Sequence, residues 1–144
     1  MEYVIIFVVI AFLIGTISFA APSKSSRNIS ALRIEASKLG FKISSSSIGK
    51  NLFKNRDLNN MIYQIKNISN LKEAHFIRDK DELILYSPLK LKYSDDYNEI
   101  QNELKKLSPY VLEIIFSNAS ISFIWKENKG LDELIKINSM LKNF

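Results

Sequence analysis

Residues Tyr3–Ala21 read YVIIFVVIAFLIGTISFAA, a run without a charge in which Thr16 and Ser18 are the hydroxyl interruptions. A helix rises about 1.5 Å per residue, so about nineteen such residues reach across the ~30 Å hydrocarbon core of a bilayer. A helix apolar on every side has no face to turn toward water. The expectation is one transmembrane helix in residues 1–21, a polar joint at 22–28 and a small α+β soluble domain over 29–144.

The competing reading of the run is a secretory signal, because Ser18-Phe19-Ala20 before Ala21 resembles a small-x-small cleavage site. A signal starts with basic residues, whereas Glu2 is the only charge ahead of this run, which is also longer than a usual signal core. An anchor is therefore expected; a cleaved chain would instead yield a secreted domain. Lys24, Arg27, Arg33 and Lys38 follow the run closely. The positive-inside bias then places the domain in the cytoplasm and the N-terminus outside. These four residues are the candidate membrane-proximal basic group, facing the anionic lipid surface.

Past the joint, Ile29–Leu39 has Leu32, Ala36 and Leu39 on one side and reads as an amphipathic helix capped by Asn28 or Ser30. Its stripe is narrow, which favours packing on its own domain over lying on lipid. Gly40 stands where a left-handed C-terminal cap is wanted. Phe41–Ser44 alternates as a strand, and the Ser44–Ser47 run with Gly49 reads as a loop. Leu58–Ile68 fits either period; Met61, Tyr63 and Ile65 tip it toward a strand.

Glu73–Arg78 and Glu82–Tyr86 read as a hairpin turning at Asp79-Lys80-Asp81, ended by Pro88. Ser94 is expected to cap a helix with Asp95 and Asp96 in its first turn and Tyr97, Ile100, Leu104 and Leu107 on its buried stripe. Tyr110–Phe116 and Ile121–Lys126 form a second hairpin, with Ile121, Phe123 and Trp125 on one face. A last helix spans Leu131–Leu141, with Leu134, Ile137 and Leu141 inward. Strand-strand-helix thus occurs twice, at loosely matching spacings. The architecture that follows is an antiparallel sheet with helices on one face.

The residues leave little material for catalysis. There is no cysteine, one histidine and four glycines, so thiolate sites, disulfides and glycine-rich phosphate loops are excluded or poorly supplied. His75, near Glu73 and Asp79, reads as an ordinary surface histidine. Asp79, Asp81, Glu82, Asp95 and Asp96 lack calcium-loop spacing and fit turns and helix starts. Trp125, Tyr110 and Tyr86 fall at strand spacing, as core aromatics do, and no RNA-binding signature accompanies them. Three Asn-x-Ser triplets, at Asn28, Asn67 and Asn118, match the glycosylation pattern, and a cytoplasmic domain would carry none of that modification. The net charge of +5 reads mainly as a solvated surface. No catalytic residue, metal site or cofactor is expected.

Pro22-Ser23, Arg27, Leu32-Arg33, Ala36, Leu39-Gly40-Phe41 and Ile43, with Tyr63 and Trp125-Lys126-Glu127 before a final helix, resemble small single-span inner-membrane proteins of gammaproteobacteria. Such proteins are often labelled YajC-like preprotein translocase subunits. The resemblance implies topology, one span and a small cytoplasmic domain, and transfers no catalytic residue. The function expected is a non-enzymatic interaction module held at the cytoplasmic face of the bacterial inner membrane, accessory to a membrane complex. Its expected partners are the lipid bilayer and a membrane protein. Lipid or nucleic-acid binding through the basic surface is the alternative, separable by its steep loss with salt.

Overall fold

The structure, a computed structural model, describes residues 1–45, 53–55, 57 and 59–144. Helix α1 spans Glu2–Ala20, and none of its residues is buried. It is long and apolar enough to cross a membrane. Ala21 then turns extended at φ −69 and ψ 127, and Pro22 follows it. Helix α2, Lys24–Lys38, begins five residues earlier than the sequence reading had it. The Ser23 hydroxyl accepts the Ser26 N–H at 3.1 Å and caps the helix there, satisfying an amide that would otherwise lack a partner. The joint between the helices therefore shrinks to Ala21–Ser23. At the other end Gly40 takes φ +97 as expected. The Phe41 and Gly40 N–H groups return to the Ala36 and Ser37 carbonyls, closing the helix end.

Six strands follow: β1 Lys42–Ser45, β2 Met61–Lys66, β3 Ala74–Asp79, β4 Glu82–Ser87, β5 Val111–Phe116 and β6 Ser120–Trp125. They form one sheet in the order β1-β2-β6-β5-β3-β4, with every neighbouring pair antiparallel. Helix α3, Tyr97–Leu107, follows the β3–β4 hairpin, and α4, Leu131–Leu141, follows β5–β6, so the strand-strand-helix order occurs twice. The expected loop at residues 46–49 and Leu58 at the head of the ambiguous segment lie outside the described residues, and the rest of that segment contains β2.

Leu32 and Ala36 of α2, Ile100, Leu104 and Leu107 of α3, and Leu134, Ile137 and Leu141 of α4 share one core with Tyr63, Phe76, Ile114, Phe116, Phe123 and Trp125 of the sheet. The soluble helices thus collect on one face of an antiparallel sheet, and α2 packs on its own domain. Tyr63 lies 5.6 Å from Trp125 in an edge-on contact, and Phe41 meets Phe123 edge-on at 6.0 Å. Such offset ring pairs add to the burial energy.

Ser94 does not cap α3. Its hydroxyl donates to the Leu91 carbonyl at 2.8 Å, captured by the tight turn Leu89–Tyr93, and α3 starts from Asp96. Asn67, one of the glycosylation triplets, is buried: its amide donates to the Leu71 and Ser117 carbonyls and accepts from Ser69.

His75 is not a surface residue either. The β3–β5 pairing sets Ile77 opposite Glu113 and His75 opposite Ile115, so His75 and Glu113 are diagonal neighbours on the face away from the helices. Glu113 is fully buried; its Oε1 meets His75 Nε2 at 2.5 Å and accepts the Lys54 N–H at 2.7 Å, and its Oε2 accepts the Asn55 N–H at 2.8 Å. One carboxylate thus fastens residues 53–55 onto the sheet beside the buried Phe53. Burial alone pushes this carboxyl group up, but the hydrogen bond from His75 and the two backbone N–H groups pull it further down, leaving it below its ordinary value of 4.5. The stabilisation is present in full above that ordinary value and fades as pH falls through the lower folded value.

Replacing Glu113 by Ala strands two N–H groups and an imidazole, and should cost roughly 3–5 kcal/mol in denaturant unfolding of the detergent-solubilised chain. Glu113→Gln should cost less and flatten the fall in stability between about pH 5 and pH 2. A Glu113→Ala midpoint equal to that of the parent chain would refute the clamp.

Candidate functional site

Helix α2 is the first element after α1, and it joins the domain through Leu32 and Ala36 in the core and through one ion pair. Arg33 follows Ile29 by four residues, on the side of α2 that faces the sheet. There its Nε and Nη2 donate to Glu127 Oε1 and Oε2, both at 2.8 Å. The Tyr63 hydroxyl donates to the same Oε1 at 2.7 Å. Glu127 sits in the tight turn Glu127–Lys129, which leaves β6 and delivers the chain through Gly130, at φ +90, into α4. The bidentate fork fixes direction as well as distance, so α2 has one seating on the domain.

The Glu127 hydrogen bond holds the Arg33 guanidinium protonated above its already high ordinary value. Burial first, and the Glu127 carboxylate second, push the Tyr63 hydroxyl well above the usual tyrosine range, so it stays a donor at any physiological pH.

Between α2 and the stretch Glu127–Leu131 lies a groove of about 670 Å³. Lys24, Ser25 and Asn28 stand on its exposed side, and Ile29, Leu32 and Leu131 supply apolar wall. The four basic residues expected to act together are divided by the fold. Lys24 lines the groove and Arg27 is exposed on the turn beside it; neither has an ion-pair partner among the described residues. Arg33 is spent on Glu127, and Lys38 bonds Glu35 at 2.7 Å. Of the four, Lys24 and Arg27, next to α1, are the cations with no ion-pair partner among the described residues.

Two further surfaces merit description. Along the chain, Ile84, Tyr86, Leu89 and Tyr93 make a strip of exposed apolar residues that runs from β4, an edge strand, into the turn after it; Tyr93 is 88% exposed. The Tyr86 ring also lies edge-on to His75 at 5.0 Å, with the Lys54 ammonium 5.3 Å from its centre. His75 is reached by one carboxylate, whose oxygens are already engaged by backbone N–H groups. Among the described residues no three His, Asp or Glu side chains gather as a metal site would need.

Reading the sequence missed Glu113 and the joining role of Glu127. Glu113 had a signal, a lone charge inside the apolar strand VLEIIF. Tyr63 and Glu127, separated by 64 residues, carried none beyond the resemblance described above. No protein-family model, curated protein or solved structure matches the chain.

Tyr63→Phe keeps the ring in the core and deletes one hydrogen bond to a carboxylate, and should cost about 1.5–3 kcal/mol. Because the folded hydroxyl value is raised, that stabilisation persists below the ordinary tyrosine value of 10.0 and is lost only well above it. Alkaline ultraviolet titration should show one late-ionising tyrosine fewer in the variant than in the parent chain; identical curves would contradict the assignment.

Proposed function

We propose that this protein is a single-pass, non-enzymatic interaction module at the cytoplasmic face of the bacterial inner membrane. The observation that carries the reading is the separation of α1 from the fold: the domain completes its core without one residue of α1. A helix that adds nothing to the core, exposes a long apolar surface and turns its two hydroxyls, Thr16 and Ser18, back onto its own carbonyls is accounted for by lipid around it. Lys24 and Arg27, directly after the span, favour the cytoplasmic side for the domain. The resemblance to single-span inner-membrane proteins agrees with that placement.

Tethering confines the domain to a thin layer, and raises its effective concentration toward membrane partners without any new contact. The strip Ile84, Tyr86, Leu89 and Tyr93 offers such a partner apolar side chains and an edge strand. The Glu113 carboxylate bonded to His75 is also engaged by two backbone N–H groups, a structural use that supports binding rather than catalysis.

Site-specific crosslinking from position 93 in intact membranes, followed by purification, should recover a membrane protein in defined stoichiometry. Leu89→Asp with Tyr93→Asp should lower that recovery more than about tenfold, since two large side chains lose their burial in the contact. Undiminished recovery would remove the strip from the reading. A periplasm-only reporter active at the C-terminus would overturn the orientation, and a mature chain starting near Ala21 would overturn the anchor.

A further inference from the structure

We propose that the groove between α2 and Glu127–Leu131 seats the headgroup and first acyl carbons of an anionic phospholipid from the leaflet in which α1 ends. The proposal rests on the anchor reading above and adds a ligand to it.

Chain length limits where the groove can be. Helix α1 has 19 residues, about 29 Å at helical rise, close to the ~30 Å hydrocarbon core, so its end stands at the hydrocarbon boundary. Only Ala21, Pro22 and Ser23 separate Ala20 from Lys24. Even fully extended, that connection spans at most about 14 Å. The first turn of α2, which carries the polar side of the groove, is held at the depth of the phosphates or one layer beyond them.

Its chemistry suits what is found at that depth. Lys24, with Ser25 and Asn28 beside it, offers a cation and neutral hydrogen-bonding groups, while Ile29, Leu32 and Leu131 offer apolar surface below. The acid on the wall, Glu127, is neutralised by the bidentate Arg33 and bonded by Tyr63, so it repels an anion weakly. Glu35, the other acid on the lining, bonds Lys38. The charge left over is positive, from Lys24 with Arg27 beside it. A phosphate diester with attached hydrocarbon matches a cationic lip over an apolar wall. The lipid is also the ligand present at the highest local concentration. The Arg33–Glu127 pair keeps the groove open to it by fixing α2 in place.

The test uses the full chain, one copy per lipid nanodisc, with discs of phosphatidylcholine alone or with phosphatidylglycerol, and the chain in neutral detergent with and without inorganic phosphate. Amide hydrogen exchange is read on peptides covering residues 24–32 and 127–131. The expected result is slower exchange of both peptides in the anionic discs than in the neutral discs or detergent, with the β5–β6 amides unchanged. Lys24→Glu with Arg27→Glu should erase the difference, by roughly fivefold per cation lost. Lys90→Glu with Lys92→Glu, an equal charge change on the exposed turn after β4, should leave it intact. Equal exchange in neutral and anionic discs, or an unaffected Lys24→Glu/Arg27→Glu variant, would overturn the proposal. Slowing by inorganic phosphate in detergent to the same extent would overturn it in favour of a free anion. A chain that fails to co-elute with the discs overturns the anchor reading itself, a failure visible before any exchange is measured.

Discussion

Burial of one face of the sheet is the constraint on which the remaining structure depends. The central hairpin β5–β6 directs Ile114, Phe116, Ile121, Phe123 and Trp125 toward α2, α3 and α4, and each of these side chains is nearly or wholly removed from water. Apolar area removed from solvent contributes about 25 cal/mol per Å², so the large rings of this layer dominate the favourable side of folding. The helices are placed by that face. Each supplies a stripe of buried side chains at intervals of three or four residues, and each turns its polar side outward.

Polar groups then set positions that apolar burial leaves loose. A greasy contact between α2 and the sheet tolerates sliding, because dispersion and hydrophobic forces have little direction. The Arg33–Glu127 fork and the Tyr63 hydroxyl remove that freedom. On the opposite face Glu113 performs a comparable task with backbone donors, holding residues 53–55 against His75 and the sheet. Both carboxylates are stabilised in their charged form by several donors, the condition under which a buried charge is tolerated. The two clamps fasten different things: one seats the helix next to the anchor, the other closes a connection across the outer sheet face. Their engagement also bears on chemistry, since a carboxylate occupied by structural donors has little capacity left to take a proton from a substrate.

The apolar N-terminal helix stands apart from these contacts. Helix α1 shares no buried residue with the domain, and its connection to α2 is three residues long. A short joint leaves the domain close to wherever α1 resides, and the rigid start of α2 carries Lys24 and Arg27 there with it.

How much of this was legible beforehand depends on the range of the interaction involved. The apolar run, the Gly40 cap, the hairpin at Asp79-Lys80-Asp81 and the bounds of α4 were read from the sequence because each is a local matter of period, cap or turn within about a dozen residues. The α+β class followed from the order of those elements. The sheet order did not, since placing β6 between β2 and β5 is decided by which apolar faces can be covered together. The start of α2 was misread because Ser23, Asn28 and Ser30 are all chemically fit to cap, and only the packed helix selects Ser23. His75 was misjudged because the acid that engages it, Glu113, lies 38 residues away in sequence. Arg33 left the membrane-proximal basic group for the same reason, paired with an acid 94 residues downstream. Sequence by itself determined most of the elements and the length of the apolar run; tertiary structure alone decided which charges are paired within the fold and which stay exposed at its surface, because pairing across the chain depends on strand register and helix seating that no local pattern encodes.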